Sequence, residues 1–232
     1  MAQDVDYKGV MFDDFVLWSD GAKGFIDTVK IKAASKRKTF ISYLNAHTYN
    51  ISVADKDYRN VLRKTDILYP DGMSISLAVW LICGRWIERM TGLDFFDCFL
   101  AACEKEGFKL YFLGGAKGIA ETARNNLLCK YPNLKIVGVH DGFFIAEGKP
   151  EDEIIDDINK CDADILILGM GSPLQEFFAY RNREKLNSSI IWTVGALLDY
   201  YAGVEKQAPR WLAKMGFEWA YRLMQNPRGK WR

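Results

Sequence analysis

Short apolar runs alternate with longer amphipathic stretches along most of this chain. The apolar runs have the usual length of buried strands, and the stretches between them have the length and spacing of helices. The predicted strands are 15–18, 39–44, 67–69, 109–113, 136–139, 164–168 and 190–194. Strands that alternate with helices in this way predict an α/β fold: a Rossmann-like, mostly parallel sheet with helices on both faces.

The stretches between the strands predict the helices. They are 20–36, 58–62, 73–83, 95–106, 117–130, 151–160 and 173–186, with a further helical segment after Asn45. Asp55 is predicted to cap the helix at 58–62. Ser172, followed by Pro173 and then by Gln175, is predicted to form a capping box at the start of the last helix.

The stretch Tyr69-Pro70-Asp71-Gly72 joins a predicted strand to a predicted helix. Pro70 lacks an N–H and suits a strand end, while Gly72 permits a sharp turn or a close approach to a ligand. Asp71 therefore lies where open α/β sheets bind their ligands. Two interpretations remain open from these residues: Asp71 caps the next helix, a role that Asp favours, or it is a catalytic base.

Composition narrows the class of protein. The 232 residues are 49% hydrophobic and 26% charged, typical of a globular chain, and the net charge of +1 argues against a nucleic-acid-binding surface. Five scattered cysteines without a Cys-x-x-Cys pair favour a reducing compartment, and two histidines exclude a His-rich metal centre. No apolar stretch is long enough to span a bilayer. We therefore expect a cytoplasmic protein.

If the strands are parallel, the residues that follow them share one edge of the sheet. These residues are Asn45, Asp71, Gly114, Gly115, His140, Asp141, Gly169, Gly171 and Gly195. Glycines at several strand ends suit a phosphate-bearing ligand, because unhindered backbone amides can donate to it. The chain lacks Gly-x-Gly-x-x-Gly after its first strand and lacks a P-loop, which disfavours a dinucleotide oxidoreductase and a P-loop NTPase.

The acidic pairs do not indicate a metal site. Asp162 and Asp164 precede their strand, Asp55 and Asp57 start a helix, and Asp4 and Asp6 lie near the terminus. Gln175 and Glu176 have two interpretations: they belong to the helix start, or one of them binds a sugar hydroxyl. The local sequence favours the first.

Residues 204–232 differ from the rest of the chain and predict an appendage to an α/β domain of residues 1–203. They hold seven Lys or Arg against two Glu, so the appendage carries about +5 and the remainder about −4. Trp211, Met215, Trp219 and Leu223 recur at helical spacing. Cations beside tryptophan suit a membrane interface or a pyrophosphate-bearing lipid, although a packed terminal helix with a solvated basic face is equally consistent.

Several motifs, in order and spacing, resemble the WecG/TagA/CpsF glycosyltransferases. They run from about residue 40 to the end and include Asn45, Pro70-Asp71-Gly72, Arg89 to Asp94, Leu113 to Gly115, Asp141 to Phe144, Gly169 to Glu176, Gly195, Tyr201 to Gly203, Ala208 to Arg210 and Glu218 to Arg222. The resemblance implies an inverting, metal-independent transferase without a cofactor. It would move a sugar from a UDP-sugar to a saccharide on undecaprenyl diphosphate, at the inner face of the bacterial cell membrane, in cell-envelope polysaccharide synthesis.

The resemblance also implies roles for individual residues. Asp71 becomes the catalytic base, and Asn45, Arg89 and Gln175 become substrate contacts, joined by Tyr43, Glu176 and the strand-end glycines 114, 115, 169, 171 and 195. In the appendage the family's basic residues correspond to Arg222 and Arg232. Arg210 and Arg228 complete the predicted acceptor and membrane contacts.

This chain departs from the family pattern at two places, and some questions stay open. Tyr43 replaces a common Thr, which changes the contacts at the donor sugar, and Gly229 replaces an Arg, which removes one cation from the appendage. N-acetylmannosamine, glucose, mannose and uronic-acid donors all fit the resemblance, and so does a homo-oligomer. The alternatives are a nucleotide-dependent oxidoreductase or epimerase and a non-catalytic scaffold subunit of an envelope complex.

Overall fold

A computed structural model describes residues 7–144, 148, 150–205 and 221. Its main feature is a six-stranded sheet in which every strand pair is parallel. The strands are β3 (Thr39–Leu44), β4 (Ile67–Pro70), β5 (Lys109–Gly114), β6 (Lys135–His140), β7 (Ile165–Gly169) and β8 (Ile190–Thr193), in the order β4-β3-β8-β7-β5-β6. The predicted parallel α/β sheet is confirmed.

Helices cover both faces of this sheet. They are α1 (Gly21–Ala34), α2 (Ala46–Ala54), α3 (Lys56–Arg63), α4 (Met73–Cys83), α5 (Gly92–Glu106), α6 (Ile119–Lys130), α7 (Glu151–Lys160), α8 (Leu174–Asn182) and α9 (Leu197–Tyr201). In β7, Ile165 and Ile167 pack into one core while Leu166 and Leu168 pack into another. This alternation buries both faces, which is why the strands read as continuous apolar runs.

Two elements were not predicted from the sequence. β1 (Gly9–Phe12) pairs with β2 (Phe15–Trp18) in an antiparallel hairpin outside the main sheet. The short helix α9 follows β8 and packs against α6. The two helical segments predicted after Asn45 are α2 and α3. The Asp55 side chain starts α3 by accepting hydrogen bonds from the amides of Asp57 and Tyr58. The capping role predicted for Asp55 is confirmed.

An aromatic cluster lies beneath the strand ends. Trp192 on β8 is fully buried and contacts the rings of Phe25, Phe95 and Phe99, and its indole donates to the Tyr69 hydroxyl at 3.4 Å. Such large rings bury much apolar surface and fix neighbouring elements against one another. The cluster therefore gives the end of β4, and the turn that follows it, a rigid base.

No helix in the described ranges is long and apolar enough to cross a membrane.

Candidate active site

The carboxyl edge of the sheet opens into a cleft with two lobes. The larger lobe has a volume of about 510 Å³, and the smaller one about 70 Å³. Gly195 and Ala196, in the turn after β8, line both lobes and so form the boundary between them. The larger lobe is lined by Gly115, Ala116, Gly142, Phe143, Gly169, Met170, Gly171, Leu174, Gly195, Ala196 and Asp199. The smaller is lined by Tyr43, Asn45, Tyr69, Asp71, Thr91, Gly92, Leu93, Val194, Gly195, Ala196, Leu197 and Tyr200.

Asp71 lies in the wall of the smaller lobe and is half-buried. Its backbone N–H donates to the carbonyl of Leu44 at 2.8 Å and so ties the turn to the neighbouring strand. Helix α4 has Gly72 as its N-cap and no side-chain cap hydrogen bond. The helix-capping interpretation of Asp71 is therefore wrong, and the residue lines the cleft instead.

Asn45 stands beside Asp71 because of the strand register. β3 pairs with β4 so that Leu44 lies opposite Pro70, which places the two following residues side by side. The Asn45 Nδ2 donates to Asp71 Oδ2 at 3.0 Å. The Asn45 Oδ1 accepts from the Thr48 amide at 2.9 Å, in a capping box that starts α2. The hydrogen bond from Thr48 fixes the orientation of the Asn45 side-chain amide, and that amide in turn orients the Asp71 carboxylate.

A buried polar cluster lies beneath the boundary between the lobes. Gln175 and Glu176 at the start of α8 are fully buried, and the Gln175 Nε2 donates to Glu176 Oε1 at 2.7 Å and to the Tyr43 hydroxyl at 3.3 Å. The Gln175 Oε1 accepts from the Gly195 amide at 3.1 Å. Burial raises the pKa of the Glu176 carboxyl. Gln175 therefore links Tyr43, which lines the smaller lobe, to the turn shared by both lobes.

The capping box predicted at Ser172 is wrong. Helix α8 has no side-chain cap hydrogen bond, and the Ser172 hydroxyl instead donates to Glu176 Oε1 at 3.0 Å. The buried carboxyl draws the hydroxyl away from the backbone, because a buried polar group costs free energy unless it is hydrogen-bonded. Tyr43 also lies within 3.3 Å of this hydroxyl, and burial raises the pKa of its phenol.

Two of the predicted glycines are required by close packing. A Cβ on Gly114 would lie 2.4 Å from the carbonyl oxygen of Gly169, which is its partner in the β5–β7 register. Gly195 has a positive φ of 60°, and a Cβ there would lie 2.7 Å from the Tyr43 hydroxyl. Because both contacts involve the floor of the cleft, a side chain at either position would displace the site.

Two of the glycine amides predicted to bind phosphate already have partners within the protein. The amide of Gly115 already donates to the carbonyl of Gly169 at 2.9 Å, and that of Gly195 donates to Gln175. A phosphate would therefore have to meet other groups of the larger lobe, such as the turn at Met170 and Gly171.

Not every residue predicted from the sequence reaches the cleft. Tyr43, Asn45, Asp71, Gly115, Gly169, Gly171 and Gly195 line it. Gly114, Arg89, Gln175, Glu176, His140 and Asp141 do not appear in its wall, and Arg89 pairs with Asp94 at 2.7 Å. Gln175 and Glu176 are fully buried and contact the cleft through Tyr43 and Gly195, so a direct hydrogen bond from either one to a sugar stays a prediction. Arg210, Arg222, Arg228 and Arg232 lie outside the described residues.

The most informative residue that the sequence did not reveal is Asp199. It lies on α9 and is a half-buried carboxylate in the wall of the larger lobe. Asp199 could have been predicted from the sequence, because it follows the Gly195 strand end by four residues and so lies near the same edge of the sheet. Among the described residues, no group of three or more His, Cys, Asp and Glu side chains could hold a metal ion.

Comparison with known proteins places these features in a family. Residues 17–232 match the profile described as "Glycosyl transferase WecG/TagA/CpsF family". A Bacillus subtilis (strain 168) protein named N-acetylglucosaminyldiphosphoundecaprenol N-acetyl-beta-D-mannosaminyltransferase is 28% identical over 187 residues, which is 81% of this chain and 72% of that protein. A Staphylococcus aureus (strain MW2) protein of the same name is 25% identical over 224 residues, which is 96% of this chain and 85% of that protein.

Proposed function

We propose that this chain, which belongs to the WecG/TagA/CpsF family of glycosyltransferases, moves a sugar from a UDP-sugar to a saccharide carried on undecaprenyl diphosphate. Membership of this family decides against the oxidoreductase, epimerase and scaffold alternatives. The observation that carries the finer proposal is the oriented carboxylate of Asp71, which is held by Asn45 in a small lobe that adjoins a much larger one.

In this proposal the donor occupies the larger lobe. Its volume of about 510 Å³ falls within the usual range of ligand pockets. Phe143 and Leu174 are exposed apolar side chains in its wall and offer a surface for the flat uracil ring. The sugar then lies toward Gly195 and Ala196, so that its anomeric carbon faces the smaller lobe.

The acceptor hydroxyl enters the smaller lobe, and Asp71 removes its proton as the oxygen attacks the anomeric carbon. Attack comes from the face opposite the departing UDP, which inverts the anomeric configuration. A correctly placed general base contributes about 10²- to 10⁴-fold to the rate. The reaction is proposed to be metal-independent, with Arg210, Arg222, Arg228 and Arg232 of the appendage supplying positive charge to the diphosphates.

The substrate class follows the names of the relatives. Both are named as transferring N-acetylmannosamine to an N-acetylglucosaminyl diphosphoundecaprenol. We therefore place UDP-N-acetylmannosamine first in a donor panel that also includes glucose, mannose and uronic-acid donors. An acceptor on a membrane lipid would bring the enzyme to the cytoplasmic face of the membrane, where the basic appendage at 204–232 would assist binding.

The test compares Asp71→Asn with Asp55→Asn. Asp55 is a carboxylate that caps α3 and does not line the cleft, and Asn can keep the cap, so Asp55→Asn is the control for the loss of one negative charge. With a short-chain lipid-diphosphate-linked N-acetylglucosamine acceptor, Asp71→Asn should lower UDP release by 10²-fold or more while UDP still binds. Asp55→Asn should remain within about twofold of wild type. Unchanged turnover in Asp71→Asn would refute the assignment of the base.

A further inference from the structure

Helix α4 begins two residues after Asp71 and has an apolar surface that the rest of the described chain does not cover. Its buried side carries Ile75, Ser76 and Val79, and Ile75 and Val79 pack in one apolar cluster with residues of the β1–β2 hairpin. The exposed side carries Leu77, Trp80, Leu81 and Ile82, and Trp86 follows in the next loop. We call these five exposed residues the α4 surface. Leu81, Ile82 and Trp86 are 67%, 73% and 59% exposed.

A helix without charged side chains rarely exposes so many large apolar side chains to solvent. A surface helix normally has a polar face, whereas a helix that is apolar all round is buried or lies against lipid. From Met73 to Ile87 the chain holds a single charged residue, Arg85. Soluble proteins rarely expose large contiguous apolar patches, and those they do expose mark interaction sites. The α4 surface therefore needs a partner.

We propose that the α4 surface inserts into the interfacial region of an anionic lipid bilayer and holds the active-site cleft against it. This rests on the proposed function, because a lipid-linked acceptor requires the base to lie close to the membrane. Two tryptophans among aliphatic side chains, with one cation and no carboxylate, match the residues that proteins place at a membrane interface. Arg85 complements the negative charge of such a surface.

The location of the α4 surface suits this role. Met73 is the first residue of α4, and roughly 6 Å of helix rise separates it from Leu77. Docking of the α4 surface would therefore hold the Asp71 turn close to the membrane, where the first sugars of a diphosphate-linked acceptor lie.

The experiment compares two double variants of the full chain. Leu81→Gln/Ile82→Gln changes the α4 surface, and Ile31→Gln/Val53→Gln changes aliphatic residues of similar exposure, 69% and 63%, on α1 and α2. Binding is measured by flotation with vesicles of phosphatidylglycerol and phosphatidylethanolamine. We expect the α4 variant to lower the vesicle partition coefficient at least tenfold, while the control stays within twofold of wild type.

Transfer assays separate docking from catalysis. With a short-chain acceptor in solution, both variants should match wild type within about twofold; with an acceptor embedded in vesicles, only the α4 variant should lose activity. Equal vesicle binding by both variants, or no binding by wild type, would overturn the proposal. So would a wild-type dimer, measured by analytical ultracentrifugation, that the α4 variant dissociates without a change in vesicle binding. If no donor gives UDP release, the proposed function fails, yet the flotation result still decides the docking proposal.

Discussion

Asn45 supports two neighbours with one side chain, so its replacement by Ala has two separable consequences. The Oδ1 caps α2 through the Thr48 amide at 2.9 Å, and the Nδ2 donates to Asp71 Oδ2 at 3.0 Å. Asn45→Ala removes both contacts. The first loss should appear in the stability of the fold, and the second in the rate of transfer.

The two magnitudes follow from the kind of hydrogen bond lost. Loss of an N-cap side chain costs about 0.5–2 kcal/mol in the free energy of unfolding. A hydrogen bond to a charged group contributes about 1.5–3 kcal/mol. If that contact holds Asp71 in its reactive orientation, its loss corresponds to a roughly 10- to 150-fold lower kcat. We expect the KM for the UDP-sugar to change little, because both amide atoms of Asn45 already have protein partners.

Asp55→Ala is the matched control for the loss of a cap. Asp55 caps α3 through the amides of Asp57 and Tyr58, at 2.8 and 3.1 Å, and does not line the cleft. Urea unfolding should show a similar loss of stability in both variants. Steady-state UDP release should show the fall in kcat in Asn45→Ala alone. Equal kcat values in the two variants would refute the positioning role, and a raised KM with unchanged kcat would return Asn45 to the role of a substrate contact.

Two further predictions concern acidic residues near the cleft. Asp199→Asn should raise the KM for the UDP-sugar several-fold with kcat within twofold, because Asp199 lines the larger lobe, where we propose that the donor binds. A 10²-fold lower kcat would instead make Asp199 the base. Glu176→Gln should stabilise the protein at pH 8 but not near pH 4. Burial raises the pKa of Glu176 in the folded state, so wild type loses stability as pH rises from the unfolded pKa through the folded one. Urea unfolding of both proteins at pH 4 and pH 8 checks this. A stabilisation of Glu176→Gln over wild type that is larger at pH 4 than at pH 8 would contradict it.

The sequence predicted the architecture well because its strands are buried on both faces. A run such as 164–168 stays apolar at every position only when helices cover both sides, and such runs predict a parallel sheet. The cap at Asp55 was also predictable, because its partners lie within three residues. The hairpin partner β1 was missed, because it is only four residues long and begins with a glycine, which disfavours a strand.

The site was predictable in location but not in its internal contacts. Strand ends identified the cleft, whereas the contact between Asn45 and Asp71 depends on the register of β3 against β4. Local rules assigned helix caps to Asp71 and Ser172, and both were wrong. At Ser172 the hydroxyl turns to the buried carboxyl of Glu176, and Glu176 Oε1 also lies 3.4 Å from the hydroxyl of Ser42, which is 134 residues away. A hydrogen bond between residues so far apart in sequence cannot be predicted from the local pattern around either one.

The turn after β4 joins Asp71, the proposed base, to helix α4 and its exposed apolar side. Gly72 has a positive φ of 87°, which lets the chain leave the strand for α4 without using the Asp71 side chain as a cap. The turn that keeps the Asp71 side chain out of the helix cap therefore also fixes where an uncharged helix begins. Exposed apolar surface of this size usually has a partner, and α4 lies directly beside the residue that we propose as the base. If α4 docks on a membrane as proposed, its exposed apolar side and the Asp71 carboxylate belong to one site, in which the membrane covers the first and a lipid-linked acceptor reaches the second.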